Sequence, residues 1–296
     1  MKSVERAVRQ LIPSVSHVCH LAAVSGSSVG AASRVDVRLE DGRNTTWFVK
    51  QASADLIENL RCEYKGLARL ADTQTIQTAT PLAVGVVNQQ ATLVTQWETS
   101  HRKDVRFFER LAASLAELHR QTLGNAIGLD QSNFLGASRQ VNQPTATWVE
   151  FVACNRLGIQ LRWAVDGGQA DRNLQGIVER VIARLPSLLS GREQATSLLH
   201  GDLWSGNVLA DVDGCPVVLD PAIYRGCREA ELGMLRLFGG CPPEFEAIYD
   251  GHFPMPVGWQ RRVDVYVLYH LLNHLNLFGT GYASACSDLA TRLLRH

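Results

Sequence analysis

Three side chains at fixed spacing could carry out chemistry in this sequence. His200-Gly201-Asp202-Leu203-Trp204-Ser205-Gly206-Asn207 has the pattern H-x-D-x-x-x-x-N, and Asp220 follows thirteen residues after Asn207. Phosphoryl transfer needs a carboxylate to orient the acceptor hydroxyl and oxygen ligands to hold Mg²⁺ against the phosphates. Asp202 suits the first task as the catalytic residue, and Asn207 with Asp220 suits the second as metal ligands. The intervening residues say how the ligands would meet. Asn207-Val208-Leu209-Ala210 and Pro216-Val217-Val218-Leu219 read as two short apolar strands around Asp213-Gly214, a strong hairpin signal. A hairpin would bring Asn207 and Asp220, at its open ends, together. Any one of these residues is common in a capped turn, but the whole spacing is not.

The same chemistry asks for an upstream lysine fixed by a glutamate, to hold nucleotide phosphates. Ser33–Leu39 alternates apolar and polar residues, Asp41-Gly42 supplies a turn, and Trp47-Phe48-Val49-Lys50 reads as the returning strand. Ala54–Ala71 has helical periodicity, with Leu56, Leu60, Leu67 and Leu70 on one stripe and Glu63 on the same stripe. An inward carboxylate needs a cation or its pKa rises, and Lys50 is the obvious candidate. Val24-Ser25-Gly26-Ser27-Ser28-Val29-Gly30 lies just before the first expected strand. It is neither G-x-G-x-x-G nor Walker A, so chain position alone makes Gly26 and Ser27 candidates to cover the phosphates. Val84–Val87 and Thr92–Gln96 read as further strands, and Trp97-Glu98-Thr99 as a hinge. Gln96 and Glu98 are therefore expected at the nucleotide.

The remaining elements frame these residues. An opening helix carries Val4, Ala7, Val8 and Leu11 on one face, and Pro13 ends it. Asp104 caps a long helix with Phe108, Leu111, Leu115 and Leu118 on one stripe, and Leu129–Gln143 reads as loop. Helices are expected over Trp148–Val165, Asn173–Leu189 and Arg261–Phe278. The fold class is α+β, with an antiparallel-sheet N-lobe over 1–98 and a mainly helical C-lobe over 99–296. His270 and His274 have zinc-pair spacing, but Leu271-Leu272-Asn273 between them lacks the H-E-x-x-H glutamate, so a metalloprotease is excluded.

Composition is compatible with this and excludes other classes. Balanced charge, 29 basic against 29 acidic residues, leaves no footprint for nucleic acid. No segment reads as a signal peptide or a bilayer span, so no membrane partner is expected. Seven cysteines without a Cys-x-x-Cys pair suit reduced thiols in a cytoplasm.

Over nearly its whole length the sequence resembles the fructosamine (ketosamine-3-) kinases, within the aminoglycoside-phosphotransferase-like, protein-kinase-like superfamily. The resemblance rests on His200–Asn207, on Asp220-Pro221-Ala222-Ile223-Tyr224-Arg225-Gly226-Cys227-Arg228-Glu229-Ala230-Glu231-Leu232, on Leu237-Phe238-Gly239-Gly240 and on Leu268–Gly279. It implies a two-lobed kinase-like fold and ATP- and Mg²⁺-dependent phosphorylation of the C3 hydroxyl of a ketosamine, free or protein-bound. A 3-phosphate of that kind is prone to eliminate and release the amine, which would make the enzyme a deglycation repair kinase. It further implies that His274 and Arg156 face the substrate and that Glu231 anchors the catalytic loop. Trp204, two residues after Asp202, would offer the sugar a flat apolar wall. The sequence departs from the family at Cys227, where His is common, and at Ser27-Ser28, where some members carry a cysteine. Two alternatives are a related kinase acting on an aminoglycoside or aminoalcohol, and a catalytically silent binding module. The second conflicts with the presence of all five of Lys50, Glu63, Asp202, Asn207 and Asp220.

Overall fold

The computed structural model describes residues 2–24, 30–238 and 241–295. In chain order the first elements are α1 (Lys2–Leu11), β1 (Val15–Val24), β2 (Ala31–Leu39), β3 (Asn44–Ser53), α2 (Ile57–Ala71), β4 (Gln77–Thr78), β5 (Pro81–Val87) and β6 (Gln90–Gln96). There follow α3 (Val105–Gln121), β7 (Asn133–Leu135), β8 (Ser138–Gln140), α4 (Trp148–Val152), α5 (Ile159–Asp166) and α6 (Arg172–Leu188). The remainder is β9 (Ser197–Leu199), β10 (Val208–Ala210), β11 (Pro216–Val218), β12 (Tyr224–Gly226), α7 (Glu229–Phe238), α8 (Phe245–His252), α9 (Trp259–Phe278) and α10 (Ala283–Leu294). No helix among the described residues is long and apolar enough to cross a membrane.

Two compact units divide the chain, one of 1–111 with 206–222 and the other of 112–205 with 223–296. These packing units differ from the lobes expected by role at 1–98 and 99–296. The reason is local: β11 pairs in parallel with β4, which draws the β10–β11 hairpin into the first unit.

The first unit is built on an antiparallel sheet of order β1-β2-β3-β6-β5. Val4 and Val8 of α1 pack against Val35, Val37, Trp47, Val49 and Val94 of the sheet. α2 packs Leu60 on Ala91 and Leu93. Each helix thus buries the apolar stripe visible in its sequence, and burying one Leu or Val side chain is worth about 1.5–3 kcal/mol. β1 is a strand that sequence periodicity misses. As an edge strand it buries only Val15 and leaves Ser16, His17, Cys19 and His20 exposed, so its pattern carries little alternation. The expected first strand is therefore the second.

The second unit is mainly helical. Trp148 stacks on Phe151 and Tyr224, at centroid distances of 5.2 and 6.4 Å, and its Nε1–H donates to Tyr266 Oη at 2.9 Å. Leu129–Gln143, expected as loop, contains the β7–β8 hairpin. Its buried polar side chains hide it from apolar periodicity: Gln140 Nε2 and Asn142 Nδ2 both donate to Asn133 Oδ1, at 2.8 and 2.7 Å. The helix expected over Trp148–Val165 carries a π-helical insert at Ala153–Gly158. At the start of α3, in the first unit, the buried phenylalanine is Phe107, not Phe108, and Asp104 Oδ1 accepts from Phe107 N at 2.9 Å as the expected cap.

Gly30 opens β2 at φ +76°, and a Cβ there would sit 2.1 Å from the carbonyl oxygen of Gln51, the neighbour of Lys50. Gly30→Ala should therefore destabilise the protein by at least about 1–2 kcal/mol, the usual cost of a left-handed non-glycine residue. A melting curve showing no loss would mean that β2 and β3 separate freely here.

Candidate active site

The first unit concentrates charge at one buried ammonium. β3 places Lys50 with its side chain only 2% exposed, and α2 brings Glu63 to it. Lys50 Nζ donates to Glu63 Oε1 and Oε2 at 2.9 and 2.8 Å and to Asp220 Oδ1 at 2.8 Å. Burial alone would lower the ammonium's pKa, but the Glu63 and Asp220 carboxylates hold it well above its ordinary value. Glu63 moves the opposite way from a simple ion pair. Burial pushes it up, and the charge of Asp220 outweighs enough of the Lys50 attraction to leave it at about 8. Two carboxyls share one cation, so this cluster has room for further positive charge.

Asp220 reaches this position at a conformational cost. Its φ is +48°, in the left-handed region that L residues avoid, and a strained residue of this kind costs about 1–3 kcal/mol. Packing holds it there, because a Cβ on Gly66 of α2 would lie 2.9 Å from Pro221 Cγ. The hairpin closes as its sequence suggests: Val208 pairs with Val218, and Leu219 N donates to Asn207 O at 2.9 Å. Asn207 and Asp220 consequently line one cavity of about 290 Å³, together with Glu63, Gly206, Leu209 and Leu219. Oxygen donors with surplus negative charge fit Mg²⁺, which takes one or two protein ligands and completes its shell with water and phosphates.

The end of β6 and the segment after it also line that cavity. Phe48, Thr95, Gln96, Trp97, Glu98 and Ser100 line it. Gln96 N donates to Thr80 O at 2.8 Å and Trp97 N to Thr46 O at 3.1 Å, so both amides are tied into the sheet. Burial, with help from the Asp211 charge, raises the Glu98 carboxyl above its ordinary value. Gly26 and Ser27 lie outside the described residues.

In the second unit a buried carboxylate shapes the H-x-D loop. Glu231 Oε2 accepts from His200 N at 2.6 Å, and its Oε1 accepts from Gly201 N at 3.0 Å. Gly201 takes φ +82°, the conformation that turns the chain toward Asp202. Burial alone would raise the Glu231 carboxyl, but His119, His200 and the Gly201 N–H hold it below its ordinary value. His119, missed by motif reading, sits fully buried with Nε2 3.7 Å from Glu231 Oε2 and Nδ1 2.8 Å from Tyr249 Oη. Nothing in its spacing marks it, since it is one polar residue on an otherwise ordinary amphipathic helix.

The fructosamine kinase family profile matches residues 1–296. This chain belongs to the fructosamine kinase family. It is 37% identical over 257 residues to a Synechocystis protein named a probable ketoamine kinase, covering 87% of this chain and 85% of that one. It is 33% identical over 294 residues to a chloroplastic protein-ribulosamine 3-kinase of rice, covering 98% and 84%. A Thermobifida fusca structure put forward as a fructosamine-3-kinase superposes with TM-score 0.85 at 32% identity, covering 100% of both chains. The aminoglycoside phosphotransferase APH(4)-Ia superposes with TM-score 0.66 at 17% identity, covering 99% and 98%, which shows the shared two-lobed kinase-like fold alone.

The expected substrate residues of this fructosamine kinase family member fall into two groups. Trp204 is 36% exposed, and His274 is half-buried. Arg156 is different. It is 2% exposed, with its guanidinium 4.4 and 4.2 Å from the Phe151 and Tyr224 ring centroids. Nη1 and Nη2 donate to Val141 O and Asn142 Oδ1 at 2.6 and 2.9 Å. Arg156 holds the β7–β8 segment against α4, and aromatic rings cover it.

Two outcomes test this geometry. Lys50→Ala and Glu63→Ala should each impair catalysis, and the double mutant should fall near the worse single, a coupling of about 0.5–3 kcal/mol. Steady-state kinetics on the four proteins measures it, and independent effects would mean the pair does not act as a unit. The second concerns acid. Burial holds His119 below its ordinary pKa, so below pH about 6.5 the unfolded chain takes up a proton that the folded chain refuses. Stability conferred by neutral His119 is thus present above that pH and lost as pH falls. His119→Asn should flatten the fall of melting temperature between about pH 7 and 5, a window set by histidine titration. An unchanged slope would place the acid sensitivity elsewhere.

Proposed function

We propose that this protein is an ATP-dependent kinase that phosphorylates the C3 hydroxyl of ketosamines, fructosamines and ribulosamines among them. The observation that carries phosphoryl transfer is Lys50 held between Glu63 and Asp220 at the edge of a cavity that a hinge also lines. Family membership supports the ketosamine as acceptor. The cytoplasm is the compartment proposed, in keeping with seven cysteines and no Cys-x-x-Cys pair.

Each residue then has a task. Lys50, oriented by Glu63, meets the nucleotide phosphates, while Gln96 and Glu98 border the base, which meets hinge groups from Glu98 onward. Asn207 and Asp220 would hold Mg²⁺, whose bound form neutralises charge on the phosphates. Asp202 accepts the proton of the C3 hydroxyl as that oxygen bonds to the γ-phosphorus and ADP leaves. Trp204 presents its exposed ring to the sugar, and Glu231 keeps the loop's backbone in shape. By role, 1–98 forms the nucleotide lobe and 99–296 the catalytic lobe.

The test is ATP consumption with fructosamines, ribulosamines and aminoglycosides, with the product located by ³¹P NMR. Turnover of ketosamines to 3-phosphates is expected. Turnover of aminoglycosides alone would replace the reading by the related-kinase alternative, and no turnover of either would favour a binding module. Asp202→Asn should cost about 10²–10⁴-fold in kcat, the usual worth of a positioned base, with Mg-ATP binding retained. Near wild-type turnover by that variant would remove Asp202 from the mechanism.

A further inference from the structure

Behind the H-x-D loop, five side chains of the second unit form one line of contacts. Glu193 Oε2 accepts from Arg228 Nε at 2.8 Å, and Arg228 Nη1 reaches the Tyr249 hydroxyl at 3.3 Å. That hydroxyl meets His119 Nδ1 at 2.8 Å, and His119 Nε2 lies 3.7 Å from Glu231 Oε2. Glu231 accepts the His200 and Gly201 amides, which immediately precede Asp202. His119, Tyr249, Arg228 and Glu231 are all buried, so the direction of each bond is set inside the protein.

That direction follows from which groups can only donate. A guanidinium has no acceptor, so Tyr249 Oη accepts from Arg228 and its own proton goes to His119 Nδ1. Burial holds the His119 ring below its ordinary pKa, and the single proton of the neutral ring therefore sits on Nε2. The other tautomer would turn a lone pair on the Glu231 carboxylate and take the acceptor away from the Tyr249 proton. Nε2 has no hydrogen-bond partner among the described residues, and the carboxylate it faces stands just beyond hydrogen-bond length. Tyr249 is itself held in place. Arg228 also donates to Phe253 O and Pro254 O, at 2.8 and 2.5 Å, and its guanidinium lies 3.7 Å from the Phe253 ring centroid.

Glu231 Oε2 is the atom on which both ends act. It takes the His200 N–H at 2.6 Å and faces the His119 N–H dipole from α3. That dipole favours the ionised carboxylate, the form that binds backbone N–H groups most strongly. The backbone entering Asp202 thus depends on which nitrogen of a distant imidazole carries a proton.

We propose that His119 and Tyr249 are positioning residues for the H-x-D loop: the Tyr249 hydroxyl fixes His119 as its Nε2–H tautomer, and that N–H steadies the Glu231 carboxylate that shapes the loop before Asp202. This rests on the kinase reading above, in which Asp202 is the base. Steady-state kinetics with ATP and a fructosamine tests it on wild type, His119→Gln, His119→Asn, Tyr249→Phe and the Tyr249→Phe/His119→Gln double variant. A glutamine amide can stand where Nε2 stands, and an asparagine amide only where Nδ1 stands. His119→Asn should therefore lose about ten- to a hundredfold more kcat than His119→Gln, the cost of a misplacement of about 1 Å far from the chemistry.

Tyr249→Phe should lower kcat when His119 is present and much less when glutamine replaces it, because an amide has no tautomer for the hydroxyl to choose. KM for ATP should hold in every variant, and a melting curve on each separates lost positioning from lost folding. If His119→Asn does not fold, the Tyr249→Phe comparison decides alone. A hydroxyl needed only for packing would cost the same factor in both backgrounds, and that result overturns this inference alone. Equal kcat in His119→Gln and His119→Asn, both folded, does the same. Wild type that phosphorylates no fructosamine overturns the kinase reading and this inference together.

Discussion

One ammonium between two carboxylates organises the first unit. Lys50 needs the sheet to carry it inward, Glu63 needs α2 to face the sheet, and Asp220 needs the hairpin to return to both. Remove Lys50 and two buried carboxyls lose their shared cation, a loss of about 3–5 kcal/mol for such pairs. The packing of α2 on β6, the β4–β11 pairing and the strained φ of Asp220 all serve this single contact. Burial of Lys50 excludes water, which strengthens every electrostatic interaction it makes.

The second unit solves a different problem by similar means. Its H-x-D loop is irregular backbone, whose N–H groups would be unsatisfied once buried. Glu231 accepts two of them, and a charged acceptor makes bonds roughly twice as strong as a neutral one. The cost is a buried carboxylate. His119 answers it from α3, and Tyr249 fixes His119 from the other side, with Arg228 Nη1 3.3 Å from the Tyr249 hydroxyl. In one unit a carboxylate orients a cation, and in the other a carboxylate orients backbone. Neither is replaceable by an apolar residue of equal size without losing the geometry it sets.

What could be read in the sequence follows from how local each signal is. The β10–β11 hairpin was legible because Asp213-Gly214 and two apolar runs are adjacent in the chain. The Lys50–Glu63 contact was legible because a strand-end lysine and a helix-stripe glutamate follow in order. The burial of Arg156 was not legible, because only tertiary packing supplies the Phe151 and Tyr224 rings that cover it. The β7–β8 hairpin and His119 escaped for the same reason: Asn133, Gln140, Asn142 and His119 are polar residues buried by partners distant in sequence. Periodicity reports apolar burial, and a polar network buries the residues that it counts as solvent-facing.

The charge balance around Lys50 bears on how the site responds to ligands. One cation stands at hydrogen-bond distance from two carboxyls, and burial first, then the Asp220 charge, raises the Glu63 carboxyl to about 8. A divalent cation at Asp220 would relieve the repulsion that Asp220 exerts on Glu63, lowering the proton affinity of Glu63 and tightening its hold on Lys50. A metal at Asp220 and the Lys50 ammonium would then be coupled through a shared carboxylate. The coupling has a direction: occupancy at the hairpin end strengthens the strand–helix ion pair, and by linkage an intact ion pair favours occupancy at the hairpin. Strain at Asp220 and burial at Glu63 would be offset only with both positions filled, as binding a metal–nucleotide complex as one ligand would require.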